Sequence, residues 1–196
     1  MTQNSKDLSM LETERLLLSY PSKDAIPDII KNLNDLDVSK WLAVVPYPYT
    51  EVHADWYINY AREKRLARPR DAYEYWVKLK STEETIGGVG LSKINQEKKS
   101  GTIGYWLGSA HHRRGYGSEF LGKILDVAFK ELYLESIDAS VMYGNPSSGK
   151  LLEKFGAKSL GEVFKTHFCK ATGLEQNIFE YTLTKKDYEE SRGRNE

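Results

Sequence analysis

The stretch His112-Arg113-Arg114-Gly115-Tyr116-Gly117-Ser118-Glu119 decides the fold, because one backbone periodicity ends before it and another begins after it. Residues 102–107 (Thr-Ile-Gly-Tyr-Trp-Leu) read as a strand, whereas Phe120, Leu121, Ile124, Leu125, Ala128, Phe129 and Leu132 recur at helical spacing. A further strand follows at 137–143, with Ile137, Ala139, Val141 and Tyr143 on one face. The three elements form a βαβ unit, and the glycine turn is its first connection. Gly115 and Gly117 let the chain turn sharply and approach a ligand, while unpaired N–H groups of the first helical turn present the positive end of the helix dipole. Such a turn binds phosphate. Arg113 and Arg114 add cationic donors suited to a pyrophosphate or a ribose phosphate. The plainer reading, two glycines punctuating a connection beside solvated arginines, stays open on this stretch alone.

Outward from the unit, antiparallel signals dominate. Arg15-Leu16-Leu17-Leu18-Ser19-Tyr20 opens the ordered chain as a strand. Tyr73, Tyr75, Val77 and Leu79 alternate with Glu74, Trp76, Lys78 and Lys80, and turns at 81–84 and 95–101 carry the chain through a second strand near 85–94 into 102–107. Two last strands near 159–166 and 177–184 should pair antiparallel. Helices are expected where Ile26, Ile29, Ile30 and Leu33 recur, in a short piece carrying Trp41 and Leu42, and after Thr50, where Val52, Trp56 and Tyr60 lie four apart. Asn145 can cap one more helix, with Pro146 at its first position and Gly156 past its end. The charged segment 185–196 reads as a solvated tail. The result is one α/β (α+β) domain over residues 1–196, with a mixed, mostly antiparallel sheet of about seven strands around a central βαβ unit and flanking helices.

Composition excludes several function classes. The 28 Lys and Arg balance 28 Asp and Glu, so no net field draws the chain to nucleic acid or an anionic membrane. One cysteine, Cys169, excludes an internal disulfide framework, and the apolar runs are too short to span a bilayer. The expected address is the cytoplasm. His111 and His112 are adjacent, so their side chains diverge, and no third ligand has metal spacing. His167 and Cys169 lack an acid partner and read as packing residues, as do Trp41, Trp56 and Trp106. Gly144-Asn145-Pro146-Ser147-Ser148-Gly149-Lys150 nearly spells a nucleotide phosphate loop, but Leu151 stands where a Mg²⁺-binding hydroxyl belongs.

Five segments together carry a resemblance: Thr13-Glu14-Arg15-Leu16-Leu17-Leu18; Trp41-Leu42 with Val45-Pro46-Tyr47-Pro48-Tyr49-Thr50; Ile103-Gly104-Tyr105-Trp106-Leu107; Arg114-Gly115-Tyr116-Gly117-Ser118-Glu119; and Asn145-Pro146-Ser147-Ser148 with Glu153-Lys154-Phe155-Gly156. In order and spacing this set resembles the GNAT acetyltransferases, most closely the RimJ/RimL ribosomal-protein N-terminal acetyltransferases, over nearly the whole chain. No metal is expected from the histidine spacing, and the resemblance implies acetyl-CoA as donor, with a pyrophosphate held by backbone amides of residues 113–118. It implies that the Leu107 N–H serves as oxyanion donor and pairs with the pantetheine arm, and that Asn145 keeps that arm in register. Two positions depart from the family pattern. His112 occupies its first position, and Leu152 stands seven residues after Asn145, where many members carry a tyrosine acid. In the resembling branch a serine three residues after the asparagine replaces it, and Ser148 fills that place. Without the resemblance, Asn145 and Ser148 are equally read as helix caps.

The base must come from elsewhere. An α-amine of pKa near 8 is roughly one-tenth neutral at pH 7, a lysine only about once in 2,500 molecules, a gap of about 3 kcal/mol. A site without an obvious strong base therefore favours an α-amine or another weakly basic amine. Glu74 is the candidate base, with a solvent-facing strand residue as the plainer reading. Tyr47, Tyr49, Trp76 and Tyr105 are expected to line the acceptor mouth. The function expected is acetyl transfer to the α-amine of a protein or peptide through a ternary complex, by a monomer or homodimer. A small-amine acetyltransferase and a non-catalytic acyl-CoA sensor are the alternatives.

Overall fold

A computed structural model describes residues 7–193, and of residues 162–166 the backbone only. The described chain runs β1 (Met10–Glu12), β2 (Leu16–Ser19), α1 (Ile26–Leu33), α2 (Leu36–Ser39), α3 (Glu51–Leu66), β3 (Tyr73–Leu79), β4 (Thr85–Asn95), β5 (Ser100–Leu107), α4 (Tyr116–Asp126), β6 (Ser136–Met142), α5 (Pro146–Lys154), β7 (Lys158–Cys169), β8 (Leu174–Thr184) and α6 (Lys185–Gly193). The strands form a mixed sheet in the order β1-β2-β3-β4-β5-β6-β8-β7. All neighbours pair antiparallel except β5 and β6, the two strands that flank α4.

Both faces of the sheet are covered, which explains why Tyr75, Trp76 and Val77 are consecutively buried in a strand whose residues alternate faces. One face packs Leu18, Tyr75, Val77, Leu91 and Ile103 against Phe120, Leu121, Ile124 and Leu125 of α4. The other packs Trp76 against Ile26, Ile29 and Leu33 of α1 and Ala54 of α3. Neither face is wet.

The parallel pair provides the opening for a site. Strands β5 and β6 pair only at Ser100–Ser136, Gly101–Ile137 and Thr102–Asp138, and beyond Thr102 they separate. The Gly108 N–H donates to Ile86 O at 2.8 Å on the β4 side. Backbone groups alternate sides along a strand, so the N–H groups of Tyr105 and Leu107 face the gap.

The structure differs from the sequence expectations in four places. An eighth strand, β1, precedes the expected seven; its three residues bury only Leu11, too short a signal for a period-two pattern. The expected solvated tail is α6, whose Tyr188 is 1% exposed and whose hydroxyl lies 3.3 Å from Gly122 O and 3.2 Å from Asp126 Oδ1. One buried aromatic in a charged run carries a helix that no apolar periodicity announces. Trp41 and Leu42 fall past the end of α2, in the turn closed by Trp41 N–H to Val38 O. Trp56, expected in the core, is 66% exposed, because α3 lies close through the small side chains Ala54 and Ala61 and turns its Val52–Trp56 stripe outward.

Candidate active site

The glycine turn is held open from behind. Arg113 and Gly115 adopt left-handed backbone conformations, φ 59° and 84°, and consecutive turns of this kind aim N–H groups into one concavity. The first intrahelical bond of α4 is Glu119 N–H to Gly115 O, so the N–H groups of Tyr116, Gly117 and Ser118 precede the helical ladder, and no side chain caps them. His112 Nε2 donates to Leu107 O at 2.9 Å, tying the turn to the end of β5. The family-pattern departure at His112 is thus a brace.

A clamp that sequence reasoning missed fixes the same turn. The Glu119 carboxylate accepts from Thr13 Oγ1 (2.6 Å), the Arg15 N–H (2.7 Å) and Arg15 Nε (2.7 Å). Arg15 Nη1 reaches Arg114 O at 3.0 Å, and its guanidinium lies 4.5 Å over the Tyr116 ring. Burial opposes ionisation of Glu119, but the bonds from Thr13 and Arg15 outweigh it and hold the carboxyl below its ordinary range. The clamp also sorts the predicted donor-site side chains. Arg113, Gly115, Gly117 and Ser118 line the central cavity, whereas Arg114 gives its carbonyl and Tyr116 its ring to Arg15, away from it. The two halves of this clamp lie about a hundred residues apart in sequence, which hid them.

At the second strand-to-helix turn, Asn145 Oδ1 accepts from the Ser148 N–H at 3.3 Å, the capping role open in the sequence. Both residues also line the cavity. The Ser148 hydroxyl is 2.9 Å from the Tyr105 hydroxyl. Tyr105, predicted as part of the acceptor mouth, therefore stands beside the candidate acid. Burial pushes its phenol up to about 12, with the Ser148 bond opposing.

The expected acceptor side is made of side chains. Glu74 is half-buried rather than solvent-facing. Its Oε2 accepts from Tyr57 O–H at 2.8 Å, and Tyr57 stacks on Trp76 with centroids 6.2 Å apart. Gly90 of β4 makes the room, since a Cβ there would collide with the Glu74 carboxylate. Burial pushes the Glu74 carboxyl up to about 7, against the opposing effects of Tyr57 and Lys64. Trp76 and Tyr49 line the cavity; Tyr49 is buried, its backbone N–H and carbonyl bonded to the Asn34 side chain. Tyr47 does not line it: as the residue before Pro48 it projects from the loop, 42% exposed. Trp56 and Tyr60, stacked at 5.6 Å, complete the aromatic wall, and their four-residue spacing was the visible signal.

The residues named for metal or nucleophilic chemistry stay apart. His111 is buried and faces Glu84 at 3.7 Å, while His112 faces Leu107. Cys169 is buried, its thiol 3.5 Å from Lys40 O. Among the described residues no group of three His, Cys, Asp or Glu side chains is placed to hold a metal ion, and no helix is long and apolar enough to cross a membrane.

A single cavity of about 1070 Å³ joins the glycine turn, the β5–β6 gap and the aromatic wall. It suits an elongated anionic ligand reacting with a group held beside Glu74. Residues 15–158 match the family model described as acetyltransferase (GNAT) domain. The uncharacterized N-acetyltransferase p20 of Bacillus licheniformis is 29% identical over 181 residues, covering 92% of this chain and 99% of that protein. Among solved structures, RimJ of Mycobacterium smegmatis in complex with CoA-disulfide superposes with TM-score 0.73 at 19% identity, covering 88% of this chain and 83% of that one. The microcin C7 self-immunity acetyltransferase MccE in complex with acetyl-CoA and AMP gives 0.76 at 18%, covering 93% and 99%. The spermidine N-acetyltransferase of Vibrio cholerae, in complex with CoA and spermine, gives 0.73 at 19%, covering 90% and 99%. With its split parallel strands, uncapped glycine turn and a family match over most of its length, the chain belongs to the GNAT acetyltransferases of RimJ/RimL type and is an acetyl-CoA-dependent N-acetyltransferase.

Proposed function

We propose that the acceptor is the α-amine of a peptide or protein N-terminus, acetylated by direct attack in a ternary complex. The observation that carries this reading is Glu74, a carboxylate lodged in the cavity wall with its pKa near 7. A base at 7 takes a proton from an α-ammonium near 8 at a cost of roughly 1.4 kcal/mol, against roughly 4.6 kcal/mol from a lysine near 10.4. A polyamine needs several carboxylates along its length. Among the described residues lining this cavity the carboxylates are Glu74 and Asp37, and Asp37 is paired with Lys40. Trp56, Tyr57, Tyr60 and Trp76 form the rest of this wall, which suits one cation attached to an apolar chain.

Acetyl-CoA supplies the acetyl group as a thioester. The N–H groups of Tyr116, Gly117 and Ser118 hold the pyrophosphate, with Arg113 adding charge. The Leu107 N–H, facing the β5–β6 gap, donates to the acetyl oxygen as negative charge develops there. Asn145, its Oδ1 engaged by Ser148, offers its amide nitrogen to the pantetheine arm. Glu74 removes the ammonium proton, directly or through one water, and Ser148 gives a proton to the departing sulfur.

The test is release of free CoA thiol from acetyl-CoA with a panel of N-terminal peptides, their Nα-blocked counterparts carrying lysine, and spermidine. Release with the unblocked peptides alone is expected. Preference for spermidine or blocked lysine peptides overturns the α-amine reading, and tight acetyl-CoA binding without acceptor-dependent release makes the protein a sensor.

A further inference from the structure

We propose that the Tyr105 phenol stands behind Ser148 as a positioning residue and proton source, directing the Ser148 hydroxyl toward the departing sulfur and replacing the proton it gives up. The inference rests on the reading of Ser148 as the donor to that sulfur. Seven residues after Asn145, where the family resemblance leads one to expect a tyrosine acid, this chain has Leu152, which is buried in the core. A phenol nevertheless reaches the site, from a different element.

Tyr105 lies on β5, two residues before Leu107, and its side chain points to the α4 face of the sheet, where its ring meets Phe120 edge-on at 6.2 Å. Ser148 lies in the first turn of α5, 43 residues away in sequence. The Tyr105 oxygen sits 2.9 Å from Ser148 Oγ and 3.1 Å from Ser148 O. Two contacts to one residue fix the phenol relative to the serine hydroxyl, and both residues line the cavity.

If Ser148 is the donor, the chemistry favours such a partner. An aliphatic alcohol is a far weaker acid than a thiol, whose ordinary pKa is about 8.5, so a lone serine would be left as a costly alkoxide. A phenol is the stronger acid of the two hydroxyls, even when burial pushes it up to about 12. The transfer balances as follows. The amine nitrogen forms a bond to the acetyl carbon and the carbon–sulfur bond breaks, its electron pair leaving with sulfur. The thiolate takes the Ser148 proton, Ser148 takes the Tyr105 proton, and the phenolate is reprotonated from solvent, which receives the amine proton by way of Glu74.

The experiment compares Tyr105→Phe, Ser148→Ala and the double variant, with acetyl-CoA and the fastest peptide of the panel above, measuring kcat, both KM values, acetyl-CoA Kd and Tm. Removing the phenolic oxygen alone should lower kcat about tenfold, while KM, Kd and Tm stay at wild-type values, the split expected when a group acts only as the sulfur departs. The double variant should be no slower than Ser148→Ala. The relay is overturned if Tyr105→Phe keeps kcat within twofold of wild type, if the two losses multiply in the double variant, or if the phenylalanine variant loses donor affinity or Tm in step with kcat, which is the mark of a packing role. If Ser148→Ala itself turns over normally, the Ser148 reading falls and takes this inference with it. If Ser148→Ala is slow and Tyr105→Phe is not, only this inference falls.

Discussion

The two halves of the cavity are built from different materials. The half proposed to hold the donor, at the turns after β5 and β6, is mainly backbone: left-handed residues, N–H groups ahead of the α4 ladder, and a strand edge that β6 leaves uncovered. The half proposed to hold the acceptor is a wall of side chains from α3 and β3, with one half-buried carboxylate among aromatic rings. A backbone site needs glycines at fixed places and tolerates varied neighbours, whereas a side-chain site depends on what happens to pack beside what. The contrast predicts that substitutions will separate donor affinity from acceptor chemistry.

The sharpest break should come from Gly117→Asp. An acidic residue in the first turn suits the helix dipole, and a Cβ there would meet the flexible Leu151 side chain at 3.3 Å, so Tm should change little, but the new carboxylate would face the proposed place of the pyrophosphate. Acetyl-CoA affinity by calorimetry should fall at least 100-fold. Retained affinity would move the donor to another surface.

Glu74→Gln should act on the other half alone. The expected result is a loss in kcat of roughly 100-fold with acetyl-CoA Kd unchanged, and loss of the rising limb near pH 7 in the pH–rate profile. The same group makes a stability prediction. Its folded pKa lies above the ordinary carboxylate value, so the folded state prefers the neutral form. No penalty is present below about pH 4.5; it grows as pH rises toward 7 and is complete above that. Glu74→Gln should therefore raise Tm relative to wild type at pH 8, and not at pH 4.

Arg15→Gln tests whether the donor half depends on the clamp behind it. With Arg15 partly exposed, solvent screening limits the ion pair itself, and the loss comes mainly from freeing Glu119 beside the glycine turn. Acetyl-CoA affinity should fall about tenfold, and Glu119→Gln in the same chain should recover part of it. A fully additive pair would remove the clamp from the account. The smallest effect belongs to Trp56→Ala, an exposed ring on the acceptor wall: a rise of a few-fold in peptide KM, with acetyl-CoA Kd and Tm unchanged.

Much of the donor half was legible in the sequence because its signals are local. Gly115 and Gly117 between a strand and an amphipathic helix announce the turn, and Asn145 with Pro146 announces the start of α5. The acceptor half was named only in part. Glu74 was found as a candidate, but the alternation of β3 suggested water on that face; only α3, lying over it with Tyr57, makes it a half-buried carboxylate. Trp56 read as a packing residue, and its four-residue spacing marks a helix face but not the side to which that face turns. Tyr47 was drawn into the site by neighbourhood in sequence and lies outside the cavity. The tail became α6 through one tyrosine.

The sequence by itself determined the periodicities, the punctuation of the helices, the βαβ unit and the positions of the glycines in its first turn, since each depends on residues within a turn or two of one another. Tertiary structure decided the rest: the clamp of Arg15 on Glu119, the hydroxyl of Tyr105 beside that of Ser148, and the carboxylate of Glu74 over Gly90. These pairs are distant in sequence and meet only because the order of strands in the sheet brings them together. Contact, burial and acidity follow from that meeting, and composition and spacing along the chain carry no record of it.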